Sequence, residues 1–263
     1  MNWILDLDGV VWRGNEAIDG SVDAIARLYD EGQKIYFVTN NSLLTVSQYV
    51  QKMASFGINA GEDQIITSAM AAASLLDPSW KVYLIGGGGL QEAVEDRGVA
   101  IAENYRDVDA VVLGWDPEIN FEKISNAMTA IRSGAKYIVT NADLTYPNPD
   151  RLLPGTGSIA AAVSAASGES PQFAGKPNEP IAALIRSKVN SGDVMVGDRI
   201  STDGIFARLL GVHFGLVKTG VNEDPGDFDL SSSVTVCEDL GSMVSLFIER
   251  GSLPDGSYLR ARK

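Results

Sequence analysis

Trp3-Ile4-Leu5-Asp6-Leu7-Asp8-Gly9 puts three apolar residues directly before two carboxylates spaced i and i+2, and closes on a glycine. The apolar run reads as a short buried strand. Carboxylates at the mouth of a core must be hydrogen-bonded, paired or bound to a metal. Spaced this way they can divide labour, one attacking and the other handling protons. Asp6 is the candidate nucleophile, able to take a phosphoryl group as an acyl phosphate. Asp8 is the candidate general acid and base. Gly9 allows the sharp turn beside them. Standing alone, such a stretch is more often a surface turn than a catalyst.

Further apolar, β-branched runs follow at Lys34–Val38, Val82–Ile85, Ala110–Leu113, Tyr137–Val139, Val194–Val196 and His213–Val217. Amphipathic stretches lie between them: Ser21–Asp30, Val46–Phe56, Gly89–Arg97, Phe121–Ser133, Ile159–Ala166, Pro180–Val189 and Thr202–Leu210. This alternation predicts an α/β chain with a doubly wound, mostly parallel sheet, whose ligands sit beyond the carboxyl ends of the strands. Ser21 is expected to N-cap the first helix, and Gly32 to end it. The tail from Gly251 through Ser252-Leu253-Pro254-Asp255-Gly256 reads as a loosely packed terminus.

Three more polar signatures fall at strand ends or helix starts. Thr39-Asn40-Asn41 offers a hydroxyl and amide donors suited to phosphoryl oxygens. Gly175-Lys176-Pro177 offers a cation to offset charge on the nucleophile and the transferring group. Val196-Gly197-Asp198-Arg199 again ends a buried strand in glycine and a carboxylate, with Asp203 following. Asp198 can ligate a hard cation, and Asp203 can hold its water shell or orient Lys176. Oxygen ligands few in number suit Mg2+. A single histidine in the chain excludes a histidine-rich zinc site.

In this order the four signatures resemble the haloacid dehalogenase superfamily. The resemblance implies Asp6 as nucleophile and metal ligand. It implies Asp8 as acid and base, with its backbone carbonyl on Mg2+. Thr39 and Asn40 would bind the phosphoryl group, Lys176 would stabilise the phospho-aspartate, Asp198 would complete the metal site, and Asp203 would support it. Asn41 joins the substrate-binding set. About thirty residues separate the first two signatures, enough for one strand–helix–strand connection. Well over a hundred separate Asn41 from Lys176. The expected layout is therefore a Rossmann-like core from 1–68 and 173–263, with an inserted α/β cap domain at 69–172. That placement resembles the type-II cap, subclass IIA, of N-acetylglucosamine-catabolism-type and p-nitrophenyl phosphatases. Val112-Leu113-Gly114-Trp115-Asp116, Thr140-Asn141-Ala142-Asp143 and Leu153-Pro154-Gly155-Thr156-Gly157-Ser158 agree with it. Asn141 and Asp143 resemble the family's cap loop, expected to select substrate, and Trp115 either covers substrate or packs within the cap. One departure is Lys218, where the family often has a branched aliphatic residue before Thr219-Gly220.

The expected activity is Mg2+-dependent hydrolysis of small phosphomonoesters through a phospho-aspartate. Phosphotransferase or phosphomutase chemistry, and a non-catalytic sensor of phosphorylated metabolites, are the alternatives. Sugar phosphates, nucleoside monophosphates, phosphoglycolate and pyridoxal phosphate all remain open as substrates. A net charge of −13, from 34 acidic and 21 basic residues, disfavours nucleic-acid partners. No stretch reaches membrane-helix length. The single cysteine, Cys237, permits no intrachain disulfide. A cytoplasmic monomer or homodimer is expected. Gly86-Gly87-Gly88-Gly89 lacks the last small residue of a dinucleotide fingerprint and reads as a turn. Gly155–Ser158 lacks the lysine of a P-loop and reads as a helix start, and His213 reads as a core histidine.

Overall fold

The computed structural model describes residues 1–147, 151–221 and 234–251. The tail read as a loose terminus lies outside them from Ser252 onward. The chain forms two compact units, one of residues 1–38, 50–65 and 185–263, the other of residues 39–49 and 66–184. This division assigns Thr39–Tyr49, Ile66–Ser68 and Phe173–Leu184 to the second unit together with the segment 69–172.

The first unit is built on a six-stranded sheet in the order Val234–Cys237, His213–Val217, Val194–Gly197, Asn2–Leu5, Lys34–Thr39, Ile65–Thr67. Asn2–Leu5 pairs in parallel with Lys34–Thr39 on one side and Val194–Gly197 on the other, and the next two pairings outward from Val194–Gly197 are also parallel. From the first strand the chain therefore winds outward one way, then returns to wind outward the other way. This is the doubly wound order, with its switch point between Asn2–Leu5 and Val194–Gly197, where such sheets open a crevice. Trp3, Ile4 and Leu5, with Val194, Met195 and Val196, are wholly buried. The near-continuous apolar sequence of these strands thus reflects burial on both faces. Trp3 also meets Phe247 edge-on, ring centroids 5.4 Å apart.

The second unit holds a five-stranded parallel sheet in the order Gln172–Phe173, Lys136–Val139, Ala110–Leu113, Lys81–Ile85, Ala100–Ile101. Helices Phe121–Arg132 and Thr156–Ser167 share its core: Ala127, Ala130 and Ile131 pack with Ile159, Ala160, Val163 and the strand residues Val111, Leu113 and Val139. The glycine run is explained here. The Gly89 amide donates to the Leu43 carbonyl at 2.9 Å, and a Cβ at Gly89 would collide with the Leu44 backbone, so the turn lets a helix start against that loop.

The α/β expectation holds, and most elements lie within a residue or two of their sequence reading. One capping assignment is corrected. Gly20, in the left-handed region at φ 77°, is the N-cap, and Ser21 is the first helical residue. Ser21 is buried, and its hydroxyl donates to the Val11 carbonyl at 2.8 Å, a partner a buried hydroxyl needs more than the helix needs a side-chain cap. Gly32 follows the helix at φ 68°, as expected. Lys218, the departure from the family pattern, forms an exposed ion pair with Glu238 at 2.6 Å. His213 is half-buried at the start of its strand, with Nε2 2.8 Å from the Thr235 hydroxyl, so it is hydrogen-bonded but not a core residue.

Cys237 ends the strand Val234–Cys237 half-buried. Burial, with the Asp239 and Glu238 carboxylates, pushes its thiol up to about 11. At pH 8 the thiolate fraction is then on the order of a hundredfold below that of an ordinary cysteine. Alkylation by iodoacetamide, followed by mass spectrometry, is expected to be slower by a similar factor. Labelling at the rate of free cysteine would contradict this environment. Among the described residues no helix is long and apolar enough to cross a membrane.

Candidate active site

The first unit gathers carboxylates at its sheet's switch point. Asp6 leaves the strand Asn2–Leu5 with its amide still bonded to the Val196 carbonyl at 2.9 Å, which fixes where its side chain starts. The chain then folds tightly over Leu7, whose carbonyl accepts from the amides of Val10, Val11 and Trp12 at 3.3, 2.9 and 3.2 Å. Gly9 sits in this loop at φ 91°, and a Cβ there would lie 2.6 Å from Asp198 Oδ2. Only glycine gives both that backbone angle and that clearance.

Asp198 follows the strand Val194–Gly197 and is 3% exposed. Its Oδ2 accepts from the Val221 amide at 2.6 Å, and the Gly220 backbone abuts the same carboxylate. The Thr219 hydroxyl donates to the Gly9 carbonyl at 2.6 Å, so the segment 219–221 ties the Asp8–Gly9 loop to Asp198. Asp203 is fully buried in a π turn, Ile200–Gly204, that precedes the short helix Ile205–Leu210. That turn replaces the first part of the helix expected from Thr202, and Asp203 Oδ2 accepts from the Arg199 amide at 3.2 Å.

Ligand oxygens of Asp6, Asp198 and Asp203 all lie within 4.8 Å of one another. Burial, then the Asp203 and Asp6 carboxylates, raise the Asp198 carboxyl well above its usual range, against the Val221 amide and the Arg199 guanidinium. Three crowded carboxylates, two of them buried, are costly as anions, and a hard divalent cation removes that cost. Oxygen donors alone fit Mg2+ or Ca2+. Asp203, expected only to support the site, offers an oxygen to the cluster itself.

Asp8 is placed differently. Its Oδ1 accepts from the Trp12 indole Nε1 at 3.1 Å, and no oxygen of it joins that cluster. Sequence reasoning missed Trp12. Its position four residues after Asp8 is visible in the motif, but the hairpin that returns it, Trp12–Arg13 against Glu16–Ala17, is too short to leave a periodic signal.

The second unit carries the remaining candidates. Lys176 is 2% exposed. Asn40 holds the Lys176 backbone at both ends: its Oδ1 accepts the Lys176 amide at 2.7 Å, and its Nδ2 donates to the Lys176 carbonyl at 3.1 Å. The same Nδ2 donates to Asp143 Oδ2 at 3.0 Å. Asn141, 3% exposed, donates from Nδ2 to the Asn40 carbonyl at 2.6 Å and accepts the Asp143 amide on Oδ1 at 3.1 Å. Asn40, Asn141, Asp143 and Lys176 therefore form one network. Buried Thr39 accepts the Asn41 amide on Oγ1 at 3.0 Å. Asn41 Oδ1 accepts the Leu43 amide at 3.0 Å, while its Nδ2 reaches the Tyr146 hydroxyl at 3.4 Å. Tyr146 stacks on Trp115, centroids 4.4 Å apart. The Gly155 and Gly157 amides donate to the Leu144 and Asp143 carbonyls at 2.8 and 2.9 Å, which spends them on the loop rather than on an anion.

Asn40 is thus a backbone clamp as much as a candidate ligand. Asn40→Ala strands the buried Lys176 amide and is expected to lower stability by about 2–3 kcal/mol. Calorimetry reads this as a melting point lower by roughly 4–12 °C. An unshifted melting curve would contradict the clamp.

A family model described as haloacid dehalogenase-like hydrolase matches residues 3–100, and one described as HAD-hydrolase-like matches residues 173–242. An acid sugar phosphatase of Staphylococcus epidermidis is 38% identical over 226 residues, covering 84% of this chain and 87% of that protein. A solved p-nitrophenyl phosphatase from Archaeoglobus fulgidus superposes with a TM-score of 0.82 at 31% identity, over 93% of this chain and 98% of that one. A glycerol phosphate phosphatase from Mycobacterium tuberculosis, solved in complex with magnesium, gives a TM-score of 0.83 at 31% identity, over 92% of this chain and 75% of that one.

Proposed function

The chain belongs to the haloacid dehalogenase-like hydrolases, and from that premise we propose that it is a Mg2+-dependent phosphatase of small phosphomonoesters working through a phospho-aspartate. The observation that carries the reading is the carboxylate cluster of Asp6, Asp198 and Asp203 at the sheet's switch point, with Asp8 beside it held by Trp12. The relatives' names, phosphatases of sugar, glycerol and p-nitrophenyl phosphates, support the substrate class.

Asp6, Asp198 and the Asp8 backbone carbonyl are the metal ligands in this reading, with Asp203 completing or backing them. Bound there, Mg2+ supplies charge neutralisation and a template for the phosphoryl oxygens. An Asp6 carboxylate oxygen attacks phosphorus in line as the bond to the leaving oxygen breaks. The Asp8 carboxylic acid gives its proton to that leaving oxygen. Asp8, now a carboxylate, takes a proton from water as the water oxygen attacks the phospho-aspartate, which frees Asp6 and inorganic phosphate. Thr39, Asn40, Asn41 and Lys176 are assigned to the phosphoryl group, Asn141 and Asp143 to the rest of the substrate, and residues 69–172 to a cap domain. The family resemblance supports these assignments.

A panel of sugar phosphates, glycerol phosphates, nucleoside monophosphates and p-nitrophenyl phosphate, assayed with Mg2+ for free phosphate, tests the reading. Release from a subset is the expected result. A panel inert throughout would overturn it, and phosphate delivered to an acceptor alcohol in place of water would replace it with phosphotransfer.

A further inference from the structure

Trp12 is 1% exposed, yet it stands in a two-residue strand of a small hairpin. Three contacts hold it. Its ring lies 5.9 Å from that of Phe56, the Lys52 ammonium sits 4.3 Å over its face, and its Nε1 donates to Asp8 Oδ1. Lys52 is itself fixed. It stands in the last turn of the helix Val46–Ser55, where the helix dipole favours a cation, and its Nζ donates to the Gly14 carbonyl at 2.7 Å. Burial lowers the Lys52 ammonium's pKa, and the Asp8 carboxylate opposes that shift.

Resting on the phosphatase reading, we propose that Trp12, polarised by Lys52, is the positioning residue for the acid and base Asp8. Indole Nε1–H donates only and never accepts. It can bond Oδ1 whether Asp8 is protonated or ionised, and it cannot take the proton. Its bond to Oδ1 sets the rotation of the carboxyl group, and with it which oxygen meets the leaving group and water. A cation on the ring face draws on the π density and makes the N–H a better donor. A carboxyl group held less firmly would lose part of the roughly 10²–10⁴-fold that a placed acid or base contributes.

Leaving-group chemistry separates this role from mere packing. An alkoxide must be protonated as it departs, whereas p-nitrophenoxide departs with little help. In Trp12→Phe, which keeps a ring against Phe56 but removes the donor, kcat/KM for glycerol phosphate is expected to fall about ten- to hundredfold. For p-nitrophenyl phosphate the fall is expected to be no more than a few-fold. Lys52→Met, at a half-buried site, should show the same asymmetry at a few-fold size, and it carries the test if Trp12→Phe does not fold by circular dichroism. Equal losses on both substrates, or no loss on the alkyl ester, would overturn the positioning role while wild-type turnover leaves the phosphatase reading intact. The alkyl ester is the panel's best alkyl phosphate if glycerol phosphate is not turned over, and a panel inert throughout would bring down the phosphatase reading, and this role with it.

Discussion

Asp6→Asn is expected to abolish phosphate release, by at least about 10⁴-fold in kcat, while the protein stays folded. An amide oxygen is too poor a nucleophile to form the acyl phosphate, so the loss falls on the chemical step. The fold survives because the bond that places residue 6 in the sheet runs from its backbone amide to the Val196 carbonyl. The substitution also removes one of the two carboxylates that push Asp198 up, so the metal-free variant should melt no lower than wild type. Free-phosphate assays and thermal melts on one preparation separate the two effects. Turnover near wild type would end the nucleophile assignment, and loss of the cooperative melt would show that Asp6 is needed for folding.

Metal removal should be as severe. EDTA is expected to stop activity, and added Mg2+ to restore it. Stability gives a readout independent of turnover. At a hundredfold excess of Mg2+ over its dissociation constant, binding to the folded cluster adds about 2.7 kcal/mol, or roughly 5–10 °C in the melting point. Asp198→Asn should abolish that rise. Without metal it should melt at least as high as wild type, because it removes a buried charge that Asp203 and Asp6 disfavour. Activity that persists in EDTA, or a variant that still gains stability from Mg2+, would contradict the metal site.

The regular elements were legible where burial imposed a pattern. Ser21–Asp30 reads to its terminal residues because Ala24, Ile25 and Leu28 form one buried stripe. Ser68–Ser74 left no stripe, since Ser68, Ala69, Ala71, Ala72 and Ala73 are all buried and an alanine run has no polar face to contrast. Gly155–Ser158, read as a helix start, is indeed the N-cap and first turn of Thr156–Ser167, whereas Leu240–Arg250, capped by Asp239 accepting the Ser242 amide at 2.6 Å, was not read as a helix. At the site, the motifs gave residue identities and left geometry to be found. A π turn brings Asp203 into the carboxylate cluster, and no spacing rule announces that register. Nor does sequence tell that Asn40 grips the Lys176 backbone or that Trp12 reaches Asp8.

The sheet's central pairing, Trp3 beside Val194 and Leu5 beside Val196, has a consequence for synthesis on the ribosome. The strand Asn2–Leu5 is made long before Val194–Gly197, its neighbour across the switch point. Contacts so distant in sequence form late and slowly. Asp198 then needs the Val221 amide, which emerges later still. A nascent or truncated chain that stops before Asp198 carries Asp6 without the rest of its cluster. The order of translation thus keeps Asp6 apart from Asp198 and Asp203 until the first unit's sheet can close around them.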